Sequence, residues 1–254
     1  MLEVCVDTIQ AAILAEKAGA DRIELCSALD LGGATPSGPL VSAVRRAIQV
    51  PLIVLIRSRT GDFLYEELEC ELMIQEAIQA IEYGADGIAI GGLIASRELN
   101  IPFLLAIVNA LPKCQLVMHR AFDQISDPAT ALGKLIDLGF TRILTSGGRE
   151  MAIDGLQNLC RLSEWARGRI EILPGGGVAP ANAEIILAKS RSCQLHGSFR
   201  TPANGKGTVR LPDPVAISQT KAILTAFNEE LRCSASSASF SLTGGTDNSK
   251  TTPN

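Results

Sequence analysis

The chain is poor in histidine, in aromatic residues and in basic charge. Its 254 residues include two histidines, one tryptophan, two tyrosines and seven phenylalanines. Two histidines, His119 and His196, exclude a His-rich metal site. With aromatics at 4%, the core has to be built from Ala, Ile, Leu and Val, which the 46% hydrophobic content supplies. That content, beside 20% charged residues, excludes a chain disordered over most of its length. Lys and Arg number 23 against 27 acidic residues, a formal charge of −4, which argues against a nucleic-acid-binding surface with its clustered Lys and Arg. No apolar run reaches the ~18–20 residues that span a bilayer. The start, Met1-Leu2-Glu3-Val4-Cys5, lacks the basic-then-apolar order of a secretory signal. The seven cysteines contain no Cys-x-x-Cys pair, so there is no zinc-ribbon or thioredoxin motif. Dispersed cysteines without a signal read as reduced thiols, and the expected location is cytoplasmic.

What is present is an alternation of short apolar runs with longer helical stretches. Strands are predicted at 2–6, 22–26, 52–57, 87–90, 115–119, 142–145, 170–173 and 194–196. Helices are predicted at 8–18, 38–48, 66–83, 101–110, 128–138, 153–166, 181–189 and 214–231. A strict β-then-α order implies a parallel sheet with right-handed crossovers. Eight units predict an α/β fold of the (β/α)8 TIM-barrel type, a single domain over residues 1–233. An open doubly wound sheet is the alternative, but its glycine-rich first turn is absent from Val6-Asp7-Thr8. Gly19-Ala20-Asp21 and Gly84-Ala85-Asp86 each end a helix on a left-handed glycine and lead into a strand, on the stability face of a barrel. Residues 234–254 are mostly Ser, Thr, Gly, Asn and Pro and read as a disordered C-terminal tail.

Charged residues inside barrel strands need a reason, because Val, Ile and Leu normally fill the interior. Side chains two apart share a strand face, so Glu3 pairs with Cys5 and Glu24 with Cys26 on the first two strands. Arg57, His119 and His196 fall at C-terminal strand ends, where barrel active sites form, and Glu171 sits in the seventh strand. Glu24, Arg57 and His119 are the candidate catalytic set. Burial suits Glu24 to acid or base work, a nearby Arg57 would keep it ionised, and His119 could exchange protons near neutral pH. Arg57 could equally clamp a carboxylate or phosphate. The alternative for all of these is an internal ion-pair network. Gly175, Gly176 and Gly177 follow the seventh strand and Ser198 the eighth, a candidate anion-binding loop pair that Arg200 could complete. The segment Arg57-Ser58-Arg59-Thr60-Gly61-Asp62-Phe63-Leu64-Tyr65 and the loop 27–37 are candidate lids. Cys5 and Cys26, on neighbouring strands, form a candidate thiol site for Cu(I), which tolerates few ligands. Zinc would ask for four. A buried cysteine is also a common small hydrophobe, and that reading stands beside the metal one.

Several segments together resemble one known family. They are Leu2-Glu3-Val4-Cys5-Val6-Asp7, Ala18-Gly19-Ala20-Asp21-Arg22-Ile23-Glu24-Leu25-Cys26-Ser27 and Gly32-Gly33-Ala34-Thr35-Pro36-Ser37. Gly61-Asp62-Phe63-Leu64-Tyr65, His119-Arg120-Ala121-Phe122-Asp123, Leu144-Thr145-Ser146-Gly147 and Pro174-Gly175-Gly176-Gly177 continue the match, in order, to about residue 200. They are similar to the CutC family, named for copper homeostasis. The resemblance implies a cytoplasmic barrel protein linked to copper handling, with Cys5 and Cys26 matching the cysteines credited with Cu(I). This chain departs at Ser58 and Thr60, where the family carries Pro and Gly, and at Val117-Met118 before the histidine. The expected function is participation in copper homeostasis with a copper ion as partner. The alternative is a barrel enzyme using acid-base chemistry on a small anionic or phosphorylated metabolite. Whether the chain is an enzyme stays open at this point. No organic cofactor, nucleic acid or membrane partner is implied, and the Ala-rich helix faces permit a homo-oligomer without requiring one.

Overall fold

A computed structural model describes residues 1–201 and 209–240, with side chains up to residue 232. Eight strands form one parallel sheet in the order β7-β6-β5-β4-β3-β2-β1-β8. They are β1 (Leu2–Val6), β2 (Arg22–Leu25), β3 (Leu52–Leu55), β4 (Gly87–Ile90), β5 (Gln115–Met118), β6 (Arg142–Thr145), β7 (Glu171–Pro174) and β8 (Leu195–Gly197). Pairing of β8 with β1 at Leu2–Leu195, Glu3–His196 and Val4–Gly197, and a bridge from Gly175 to His196, bring the two ends of the sheet together. Helices α1 (Ile9–Lys17), α2 (Gly38–Ala47), α3 (Glu67–Glu82), α4 (Ile101–Ala110), α5 (Pro128–Asp137), α6 (Leu156–Ala166), α7 (Pro180–Ser190) and α8 (Pro214–Phe240) surround it. The expected TIM barrel is the observed fold. α8 runs past Cys233, where composition places the start of the tail, to Phe240. Residues 241–254 of that segment lie outside the described residues.

Local chemistry explains the alternation. The Thr8 hydroxyl accepts from the Ala11 N–H at 3.1 Å and starts α1. Gly19, at φ +103°, reverses the chain after it, a conformation that L side chains resist. Asp21 then accepts from the Leu2 N–H at 2.7 Å, and Asp86 from the Leu52 N–H at 2.8 Å. The repeated Gly-Ala-Asp turn thus ties each new strand to the start of its neighbour, at the N-terminal end of the barrel. Lys221 of α8 binds Asp21 at 2.6 Å and draws the last helix onto the same turn.

Most of the apolar core lies between strands and helices. The barrel interior has its own small cluster of Cys5, Cys26, Ile53, Leu55, Ala89, Val117, Leu144 and Leu173. Charged groups bound this cluster above and below. Below it, Arg22 pairs with Glu3 and donates to Gln194 Oε1 at 3.1 Å. Arg142 binds Glu171 at 2.9 Å and Gln115 Oε1 at 2.9 Å. Glu171 is more than half exposed at this lower rim, so its charge needs no interior partner. The ion-pair alternative therefore describes the lower end of the barrel, and the upper end is different.

Candidate functional site

The C-terminal ends of β1, β2, β3, β5 and β8 deliver their polar side chains into one cavity of about 230 Å³. Cys5, Glu24, Cys26, Arg57, His119 and His196 all line it. Parallel pairing of β1 with β2 sets Cys5 opposite Glu24. Cys26, two residues further on, brings its Sγ to 3.8 Å from that of Cys5 and also donates to the Val6 carbonyl at 3.5 Å. β8 adds His196, whose Nδ1 meets Glu3 Oε1 at 2.7 Å and whose Nε2 lies 3.8 Å from Glu24 Oε2. Donor atoms of Cys5, Glu24 and His196 stand within 4.8 Å of one another, and all three residues are buried.

Burial and proximity set the protonation of this group. The Cys26 thiol, burial and the Glu24 carboxylate push the Cys5 pKa well above the usual thiol range. Burial raises the Glu24 pKa, and His196 opposes the rise. Burial also pushes Glu3 up, but Arg22 and His196 outweigh it and hold Glu3 down at about 2. For His196, burial pulls the pKa down, but Glu24 and Glu3 more than compensate and raise it.

The other half of the cavity departs from the expectations. Arg57 does not reach Glu24. Its Nη1 donates to the carbonyls of Gly32 and Gly33 at 3.0 and 3.1 Å, and its Nη2 to that of Gly61 at 2.6 Å. His196 holds the place beside Glu24 expected for Arg57. Arg57 instead fastens the two candidate lids, 27–37 and 57–65, to each other. Its guanidinium stacks on Phe63 at 4.8 Å, and Phe63 packs against His119 at 5.0 Å. The hydroxyl of the nearby Tyr65 is pushed up to about 12 by burial against the pull of Arg57. His119 is no neutral-pH proton shuttle, because burial and the Arg57 charge lower its pKa to about 3. Its Nδ1 accepts from the Ala121 N–H at 3.2 Å, which fixes the proton of the neutral ring on Nε2.

Of the proposed anion loop, Gly176, Gly177 and Ser198 line the cavity. The Gly175 N–H is spent on the Thr145 carbonyl at 3.0 Å. Arg200 does not complete that loop; it binds Asp7 at 2.6 Å and Asp30 at 2.7 Å. Two participants receive no chemical role from the sequence. His196 reads with His119 as a strand-end residue of the site but not as a ligand, because the thiol and carboxylate that meet it come from other strands. Arg120 binds Asp123 at 2.9 Å and Ser146 Oγ at 2.9 Å, and Asp123 accepts from Thr145 Oγ1 and from the Ser146 and Gly148 N–H groups. Its i,i+3 Arg–Asp spacing was the available signal. A larger cleft of about 420 Å³ lies outside the barrel axis between the turn at Asp123 and α6. No buried polar side-chain atom among its described lining residues lacks a partner.

Comparison with known proteins agrees with the fold. A family model described as the CutC family matches residues 1–201. The copper homeostasis protein cutC homolog of Homo sapiens is 42% identical over 201 residues, covering 79% of this chain and 74% of that protein. A family protein CutC of Xanthomonas campestris pv. campestris (strain 8004) is 38% identical over 213 residues, covering 84% and 88%. The crystal structure of copper homeostasis protein CutC from Streptococcus agalactiae superposes with a TM-score of 0.75 at 32% identity, covering 78% of this chain and 98% of that one. Thiamine phosphate pyrophosphorylase from Pyrococcus furiosus shares the fold alone, with a TM-score of 0.59 at 14% identity over 89% of this chain and 96% of its own. With the model spanning both cysteines, Glu24 and His196, the chain belongs to the CutC family.

Proposed function

We propose that this protein takes part in copper homeostasis by holding Cu(I) as cargo between the thiolates of Cys5 and Cys26. The carrying observation is the 3.8 Å approach of two buried sulfurs from neighbouring strands. That spacing is less than twice the ~2.3 Å thiolate–metal bond seen with zinc, so both sulfurs can reach one ion. Thiolates are soft ligands and imidazole also suits copper, and the donor atoms of Cys5, Glu24 and His196 are gathered within 4.8 Å. The Glu3 carboxylate on His196 Nδ1 is the kind of partner that orients a metal-binding histidine. The relatives named for copper homeostasis and the thiol pair favour Cu(I) over Zn(II). All described cysteines are free, which fits a reducing compartment such as the cytoplasm. Among the described residues no helix is long and apolar enough to cross a membrane.

Binding has to expel the thiol protons, and that of Cys5 is held tightly. Apparent Cu(I) affinity therefore rises with pH, by up to about tenfold per unit for each thiol proton released. The test is an anaerobic Cu(I) titration against a chromophoric competitor, with Zn(II) in parallel. One tightly held Cu(I) per chain, lost in Cys5→Ala/Cys26→Ala, is the expected result. Equal uptake by that double variant, or preferential retention of Zn(II), contradicts the proposal.

A further inference from the structure

The copper reading leaves Arg57 and His119 without a role, and each is an anomaly. Arg57 is 6% exposed, yet no carboxylate among the described residues lies within ion-pair distance of it; the charge it shares a field with, Asp62, is exposed and pairs with Arg59. Its Nη groups meet neutral carbonyls, which satisfy hydrogen bonds but cancel no charge. A buried charge is expensive unless paired with an opposite one. His119 is 3% exposed, and its Nε2 has no hydrogen-bond partner among the described residues. Since Nδ1 is an acceptor, Nε2 carries a hydrogen that nothing receives. The Nδ1–Cε1 edge of the ring lies against Gly91 and Ala121, and the residue lines the cavity. Buried unpaired donors are rare in folded proteins and call for a specific explanation.

We infer that the Arg57–His119 side of the cavity is a binding site for a compact organic carboxylate. The Arg57 cation supplies the missing charge complement, and the neutral imidazole donates its Nε2–H to a carboxylate oxygen. One buried positive charge matches one carboxylate. A phosphate dianion would bring two negative charges to one cation, in a cavity that also holds Glu24. The walls indicate an organic body on the anion. Phe63 packs against both Arg57 and His119, and Leu29, Leu55 and Leu144 also border the space. At about 230 Å³ the cavity is below the ~300 Å³ at which pockets for drug-sized ligands begin, which limits the ligand to a small metabolite. Arg57 also joins the two loops over this cavity, so occupancy of the site and closure of the loops act on the same side chain.

The test is calorimetric titration of the full copper-free chain, with a Cu(I) chelator present so that the copper reading does not bear on the outcome. Pyruvate, malonate and inorganic phosphate are the probes. A carboxylate is expected to bind one to one and more tightly than phosphate. His119→Leu should weaken it about tenfold or more, the scale of a lost hydrogen bond to a charged group, and His119→Gln should recover part of the loss. Ring-nitrogen NMR of the unaltered protein gives a readout that needs no variant. With two histidines in the chain, the His119 Nε2 signal is expected to move on carboxylate addition. Three outcomes overturn the inference: no carboxylate binding up to about 10 mM, beyond the ~1 mM upper range of typical Michaelis constants; tighter binding of phosphate; or carboxylate binding with His119 unmoved.

Discussion

The two histidines, His119 just past β5 and His196 within β8, are driven in opposite directions by their neighbours. Burial and Arg57 lower His119 to about 3, whereas Glu24 and Glu3 outweigh burial and raise His196. The stability consequences have opposite signs. In the unfolded chain a histidine gains its proton near pH ~6.5. Folded His119 does not gain one until about 3. Its contribution is therefore complete above pH ~6.5 and is lost as pH falls toward 3, at up to about 1.4 kcal/mol per unit. His196 contributes stability below pH ~6.5 and loses it as pH rises through its raised folded value. Urea denaturation between pH 7 and pH 4 should show a steeper loss in the unaltered protein than in His119→Gln. Parallel curves would contradict the burial of a neutral ring. The Glu-x-Cys pattern on two strands was legible because strand side chains alternate. The direction of these shifts was not, because His196 meets Glu3 across 193 residues of sequence.

At the scale of elements, the strand and helix order was readable and the loop contacts were not. Strands came through because each is a short apolar run bounded by a turn with its own chemistry, as at Gly19-Ala20-Asp21 and Gly84-Ala85-Asp86. Their C-terminal ends were read one or two residues too long at β2, β3 and β5. Cys26, Arg57 and His119 lie just past the last paired residues, where strand gives way to cavity wall. Loop 27–37 and loop 57–65 looked like independent lids, and the structure joins them through Arg57. Its partners are backbone carbonyls, which no side-chain pattern reveals. Arg57→Met removes hydrogen bonds to Gly32, Gly33 and Gly61 together. Amide exchange is expected to speed up in both loops while the strands keep their protection. Faster exchange in one loop alone would show that the guanidinium does not couple them.

Across the whole molecule, Glu3 links the structural end of the barrel to the functional end. It binds Arg22 from β2 below and His196 from β8 above, so the strand pairs that close the barrel also orient the cavity. Breaking a buried pair while leaving one charge behind costs about 3–5 kcal/mol, and replacing both partners with apolar groups costs much less. Arg22→Met should therefore destabilise more than Glu3→Leu/Arg22→Met in chemical denaturation, and the reverse order would contradict this account of the pair. Composition showed that charge had entered the strands, but only the closed register separates the lower pairs from the upper site. The central claim is that the upper site holds copper by sulfur. X-ray absorption at the copper edge of Cu(I)-loaded protein measures that directly. The account predicts a shell containing two sulfur scatterers, lost in Cys5→Ala/Cys26→Ala; a shell of nitrogen and oxygen alone would contradict it.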